Sequence, residues 1–459
     1  MKEVLLTGTI TVGEEIVTFV CDDFKFTFVR AGNVTAQIRL PLTIKTDSSG
    51  YIWGTTRDDK SIAIFTKQDI VINHTCVLGT WNYIVFKIPV YDKNTLFDGI
   101  RFFGGSIKSI NPCHTLSREL DVEDELHKKD QCRYYVYKAY SSVKKIDIEL
   151  GENKTTWIFE NVVNSKLSID EGTSLKDGTS VLRIAFEHPQ SLTTMYNNYG
   201  YVSTLVAFMT YRSVVSFDRV TLVKKCEAGN SNDIADCHIK VAGNAITRKM
   251  MNSMSVHCLS ENSFKNIVLN VVQVDKKHMY LPLDFLPKDD KDFCVLTKDR
   301  LRNICSALEV EMDLAKISAS KDDELKNLIA SVKGLIKESR DSKETHIEDR
   351  TYDNIFNSIG HWGDSVTDRA IIAWDMYTDE IVPLMNLNNI DWNAKEIHEN
   401  IARFVRTRNK ITHEGFNELD ENLAITARLL SALVYCMAMR RLEIENDKIK
   451  DLMVRTLIG

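Results

Sequence analysis

The chain has 459 residues, of which 44% are hydrophobic and 27% charged, with a formal net charge of −6. That balance belongs to a soluble globular protein with room for two to four domains, each able to bury its own core. It excludes a protein that coats nucleic acid over its whole surface, though not one with a local basic site. The opening MKEVLLTGTI lacks the extended apolar core of a secretion signal, and no apolar run reaches the roughly eighteen residues of a membrane span. Ten cysteines without such a signal read as reduced thiols, so a cytoplasmic location with no membrane partner is expected.

In chain order, residues 1–290 have the texture of β structure. Phe24, Phe26 and Phe28 alternate with Lys25 and Thr27, Ile62 to Phe65 and Ile70 to Ile72 are short apolar runs, and Trp81 to Val90 is aromatic and β-branched. Lys145 to Leu150, Val181 to Phe186 and Val214 to Val223 repeat the pattern. Six of the seven prolines precede position 288 and glycines mark many breaks, which predicts a sandwich or two successive lobes, 1–154 and 155–290. The charged Asp121 to Asp130 reads as an exposed loop or short helix. Beyond Leu281 to Phe293 the texture changes. Helices are expected over Thr297 to Ile317, Lys321 to Ser339, Asp364 to Met385, Ala394 to Thr412 and Leu419 to Leu457, with Lys337 to Arg350 a solvated loop. The expected fold class is therefore α+β multidomain: a β-rich N-terminal region of sandwich-like lobes, then an all-α bundle over 291–459. Leu429 to Met439, apolar on nearly every side, suits the middle of that bundle or a dimer seam.

The most informative segment is RFVRTRNKITHEG, Arg403 to Gly415. Apolar residues at Ile397, Ile401, Phe404 and Ile411 form a helical stripe, and Arg408 stands on it where an apolar residue belongs. A guanidinium facing a helix seam is costly unless paired or open to water and a ligand. His413 follows within the expected last turn, with Gly415 past the helix end. With 22 arginines and 11 histidines, chance pairs at this spacing are expected, so context singles this one out. Arg183 and His188, for instance, sit in a strand pattern. Arg403, Arg406 and Lys410 add a local basic cluster, and Arg428, Arg440 and Arg441 read either as an RNA path or as solvated helix ends.

Other constellations carry less. Cys226, Cys237, His238, His257 and Cys258 lack the tight spacing of a zinc site, and no phosphate loop, dinucleotide fingerprint or His-Glu-x-x-His motif is present. His361 and Trp362 read as packing before a helix N-cap at Asp364. Asp364, Asp368, Glu380 and Glu399 are acids able to orient a cation within the bundle.

The motif Arg408 to His413, RNKITH, resembles the hallmark of the HEPN superfamily of helical-bundle ribonucleases: arginine, a polar residue (here Asn409), then histidine. A β-rich region followed by such a bundle is similar to the ApeA type of antiphage HEPN protein. The resemblance implies a metal-independent endoribonuclease without cofactor, with Arg408, Asn409 and His413 catalytic and Arg403, Arg406 and Lys410 on the RNA. It also implies a homodimer through the helical domain and an N-terminal region gated by a phage-derived trigger. One HEPN variant carries a tyrosine two positions after the histidine; Gly415 stands there, so regulation through such a tyrosine is not expected. The alternative is a noncatalytic RNA- or protein-binding module, or a scaffold in which Arg408 is a structural ion-pair partner.

Overall fold

In the computed structural model, the described residues are 5–30, 41–73, 76–80, 85–88, 95–112, 116–120, 135–139, 144–150, 153–162, 165–168, 172–175, 179–226, 231–239, 253–272, 283–288, 292, 295–318, 323–342, 347–360, 365–414 and 419–457. The chain forms two compact units, Met1–Gln273 and Val274–Gly459. The first is β-rich and the second helical, which is the α+β organisation expected.

The first unit begins with the meander β1 (Leu5–Val12), β2 (Glu15–Asp22) and β3 (Lys25–Arg30). Val17, Phe19 and Cys21 alternate inward on β2, as do Phe26 and Phe28 on β3, all at most 1% exposed. Phe24 belongs not to the strand but to the β2–β3 turn. Asp23 and Phe24 both have positive φ there, the backbone a two-residue hairpin turn requires, and the buried Phe24 ring holds it in place. Next come β4 (Leu42–Ile44), β5 (Tyr51–Thr56), β6 (Ser61–Phe65), β7 (Ile70–Ile72), β8 (Cys76–Thr80), β9 (Val85–Ile88) and β10 (Phe97–Phe103), then the short α1 (Ile107–Ile110). They are followed by β11 (Leu116–Leu120), β12 (Tyr135–Ala139), β13 (Lys144–Leu150), β14 (Asn153–Val162), β15 (Ser165–Ser168), β16 (Gly172–Leu175) and β17 (Thr179–Gln190). After α2 (Thr193–Thr210) come β18 (Arg219–Lys225), β19 (Ser231–His238) and α3 (Glu261–Val272).

Thirteen of these strands form one sheet, in the order β13-β14-β17-β10-β18-β19-β9-β6-β5-β1-β2-β3-β8. The expected lobe boundary near Lys154 falls inside β14, which pairs with β13 on one edge and β17 on the other, so strands on both sides of it share a ladder. The expected second lobe, 155–290, also contains helices. Tyr199 of α2 packs edge-on to Phe217 and near Phe102, and Phe264 of α3 meets Phe159 edge to face at 5.4 Å, giving this part of the sheet an aromatic helix-covered face. Asp121 to Asp130 lies outside the described residues.

The second unit contains α4 (Lys298–Leu314), α5 (Asp323–Ser342), α6 (Asp349–Gly360), α7 (Val366–Leu387), α8 (Ala394–Glu414), α9 (Glu421–Arg441) and α10 (Asn446–Leu457). Three details differ from expectation, the first being α6 itself, where no helix was expected. Lys337 to Arg350 is helical at both ends, with Arg340 on α5 bound to Asp349 and Asp353 on α6 at 3.0 Å each, which ties the two helices into a hairpin. The expected last helix is broken after Arg441, where Glu443 adopts a positive φ of 59°. His361, Trp362 and Asp364 lie outside the described residues, and Ser365 caps α7 by accepting from the Asp368 N–H.

α9 is the hub. It packs against α4, α7, α8 and α10, and every residue from Leu429 to Met439 is buried, so of the two places expected for this apolar segment the bundle interior is the one observed. Among the described residues it is the helix long and apolar enough to cross a membrane, yet most of it is enclosed by its neighbours.

Candidate functional site

α8 is set by local sequence. Asn393 and Glu396 cap it reciprocally: the Asn393 N–H donates to Glu396 Oε2 at 2.8 Å, and Asn393 Oδ1 accepts from the Glu396 N–H at 3.1 Å. The stripe follows as expected, with Ile397, Ile401, Phe404 and Ile411 at most 6% exposed. Arg408 stands in line with them, and its side chain retains 31% exposure. Its guanidinium donates to the Asn409 carboxamide oxygen at 3.0 Å and lies 3.3 Å from Glu309 of α4, itself 32% exposed. Close by, Cys305 of α4 is buried; burial pushes its thiol up to about 12, against the opposing pull of the Arg408 charge.

α8 runs to Glu414, so His413 occupies the last turn, as expected. Its side chain lies outside the described residues, as does Gly415. Helical spacing places the two motif residues differently. Five residues advance about 7.5 Å along an ideal helix and turn about 140° around its axis. Arg408 thus belongs to the stripe facing α4. His413 falls three positions after Lys410 and seven after Arg406, on the face that carries Arg403, Arg406 and Lys410, all three exposed. Arg403 pairs with Asp420, the N-cap of α9, and Arg406 folds back onto the Ala402 carbonyl at 3.2 Å. The Asp420 carboxylate is held below its ordinary range first by the Leu423 N–H and then by Arg403.

The sequence alone does not mark Arg302 of α4. Its Nη2 donates to the Ile411 carbonyl at 3.3 Å, while its Nη1 lies 3.6 Å from Asp299. Arg302, Cys305 and Glu309, spaced three and four apart, share one face of α4, and that face meets α8 across residues 408–411.

Arg440 and Arg441 have a different role from either one expected. Arg441 binds Glu311 of α4 and Arg440 binds Glu380 of α7, and both carboxylates are almost wholly buried. Burial raises the Glu311 pKa, with Arg441 opposing. These cations therefore close the bundle core. Of the acids considered as cation holders, Glu380 holds Arg440, whereas Asp368 serves the α7 cap and Glu399 pairs with Lys395 on its own helix. Arg428 is exposed.

Among the described residues, no three His, Cys, Asp or Glu side chains gather as a metal site. Cys237 is fully buried, and its thiol is pushed well above the usual range by that burial. No protein-family model matches the chain, and no curated protein matches it either.

Proposed function

We propose that the helical unit is a metal-independent endoribonuclease acting in cytoplasmic antiphage defence, with Arg408, Asn409 and His413 as its reactive set and the β-rich unit as the part that senses the trigger. The observation carrying this reading is the contrast between Arg408 and its neighbours. Arg440 and Arg441 hold glutamates that are almost wholly buried, whereas Arg408 interrupts an apolar stripe and holds a carboxylate that is itself a third exposed. A phosphate can replace a partly exposed acid on the guanidinium at little cost, whereas displacing Glu311 or Glu380 would leave a buried carboxylate unpaired.

RNA supplies its own nucleophile. In the proposed reaction a base removes the 2′-hydroxyl proton, the 2′-oxygen attacks the adjacent phosphorus, the bond to the 5′-oxygen breaks and that oxygen takes up a proton. The products carry a 2′,3′-cyclic phosphate and a 5′-hydroxyl. Histidine is the side chain suited to both proton transfers near neutral pH, and Arg408 would neutralise charge gathering on the phosphorane. Asn409 orients the guanidinium. Arg403, Arg406 and Lys410 would carry flanking phosphates along the exposed face of α8. The angular separation of Arg408 and His413 on one helix supports a homodimer in which two copies of the motif share a cleft.

The test is RNA integrity in bacterial cells expressing wild type or His413→Ala, with and without phage challenge. Discrete fragments with cyclic phosphate ends, seen only with wild type, increased by infection and, for the purified protein, still formed in excess EDTA, are expected. Intact RNA in every condition, with folded protein present, rejects the nuclease and leaves a noncatalytic binding module.

A further inference from the structure

From the two contacts between α4 and α8 we infer that Arg302 is a positioning residue, which holds the last turn of α8 and so the backbone at His413 in place relative to that at Arg408. The inference rests on the ribonuclease reading of His413. Carbonyl groups in the last turn of a helix have no partner within it, and a cation there is favoured by the helix dipole. Arg302 supplies both, donating to the Ile411 carbonyl two residues before His413 while Asp299 steadies its guanidinium. One face of α4 thereby holds α8 at two points: Glu309 engages Arg408, and Arg302 engages the turn that carries His413.

Stability alone gives little reason for Arg302 to be here. Its side chain is 44% exposed and its acid partner 86%, a setting in which an ion pair contributes little to folding. The geometry matters for chemistry instead, because a displacement of about 1 Å in a reacting group can cost about 100-fold in rate. A frayed last turn would release the backbone at His413 without unfolding the bundle.

The test uses the full chain with selectively 13C-labelled histidine, the His413 ring signal being identified by its loss in His413→Ala. Arg302→Ala is expected to shift or broaden that signal. It should slow single-turnover cleavage of a labelled RNA oligonucleotide by about 100-fold, and leave the affinity for the 2′-deoxy analogue of the same oligonucleotide unchanged. Arg302→Lys, which restores a donor to the Ile411 carbonyl, should recover most of the rate. An unchanged His413 signal with an unchanged rate overturns the inference, as does a loss confined to RNA affinity. If His413→Ala cleaves as well as wild type, the ribonuclease reading fails instead, and the ring signal still decides whether Arg302 orders the turn. Should Arg302→Ala not fold, Asp299→Asn, which removes only the second anchor of the guanidinium, is expected to act in the same direction with smaller amplitude; no change in signal or rate there overturns the inference.

Discussion

Arg441 grips Glu311 with two parallel hydrogen bonds, Nε to Oε2 at 3.0 Å and Nη2 to Oε1 at 2.7 Å, and the carboxylate so held is 1% exposed. Removing the guanidinium leaves an acid in the bundle core with nothing to balance its charge. Arg441→Ala is expected to lower unfolding free energy by about 3 to 5 kcal/mol, read from urea denaturation.

The same pair predicts a pH dependence. The folded-state pKa of Glu311 is raised by burial and held down by Arg441, so in Arg441→Ala it rises further. A group whose folded pKa exceeds its unfolded one favours the folded state below the unfolded pKa and loses that contribution as pH climbs through the folded value. The penalty of Arg441→Ala should therefore shrink as the buffer is taken from pH 8 towards pH 5. A penalty independent of pH would show that Glu311 is not the group left unpaired.

Arg408→Ala should behave in the opposite way. Its 3.3 Å contact to Glu309 joins two side chains each about a third exposed, so the loss is expected to be under about 1 kcal/mol while RNA cleavage disappears. Parallel thermal melts and cleavage assays read both. A large fall in stability with no change in cleavage would instead make Arg408 a structural ion-pair partner.

Asp420 caps α9, accepting from the Leu423 N–H at 2.9 Å, and also holds Arg403. Asp420→Ala is expected to cost about 1 kcal/mol at neutral pH. Because the folded pKa of Asp420 is depressed, its contribution is present above the ordinary aspartate range and lost as pH falls through the folded value. Wild type and variant should therefore converge in stability in acid, measured by chemical denaturation at a series of pH values.

In the sheet, Gly8 faces the Thr55 carbonyl oxygen so closely that an added methyl would press on it and lie 2.6 Å from the Phe19 ring. Gly8→Ala should destabilise by about 1 to 3 kcal/mol, since neither the backbone of β5 nor the buried ring can yield easily. Equilibrium unfolding followed by tryptophan fluorescence checks it.

The periodicity of α8 was legible because its buried stripe and capping pair are local, all within 21 residues. α2 was not. Its sequence, TTMYNNYGYVSTLVAFMT, mixes β-branched and aromatic residues with a glycine, and residues 205–210 are all buried, so neither composition nor period distinguishes it from a strand. The partners of Arg440 and Arg441 were out of reach for a different reason: they lie 60 and 130 residues away, at glutamates whose neighbours give no sign of it. Arg302 is the same case at 109 residues, visible only when two helices are brought side by side.

Strand β9 sits between β6, which precedes it by about twenty residues, and β19, which the ribosome delivers some 150 residues later. Until residues 231–238 emerge, the N-terminal strands have an edge with hydrogen-bonding groups and no neighbour. Pairings this distant along the chain form slowly, because long loops must close before any contact rewards them. Nascent chains arrested before β19 should thus depend on chaperones in a way that chains past it do not, and the β9–β19 seam sets the earliest moment in translation at which the thirteen-stranded sheet can be completed.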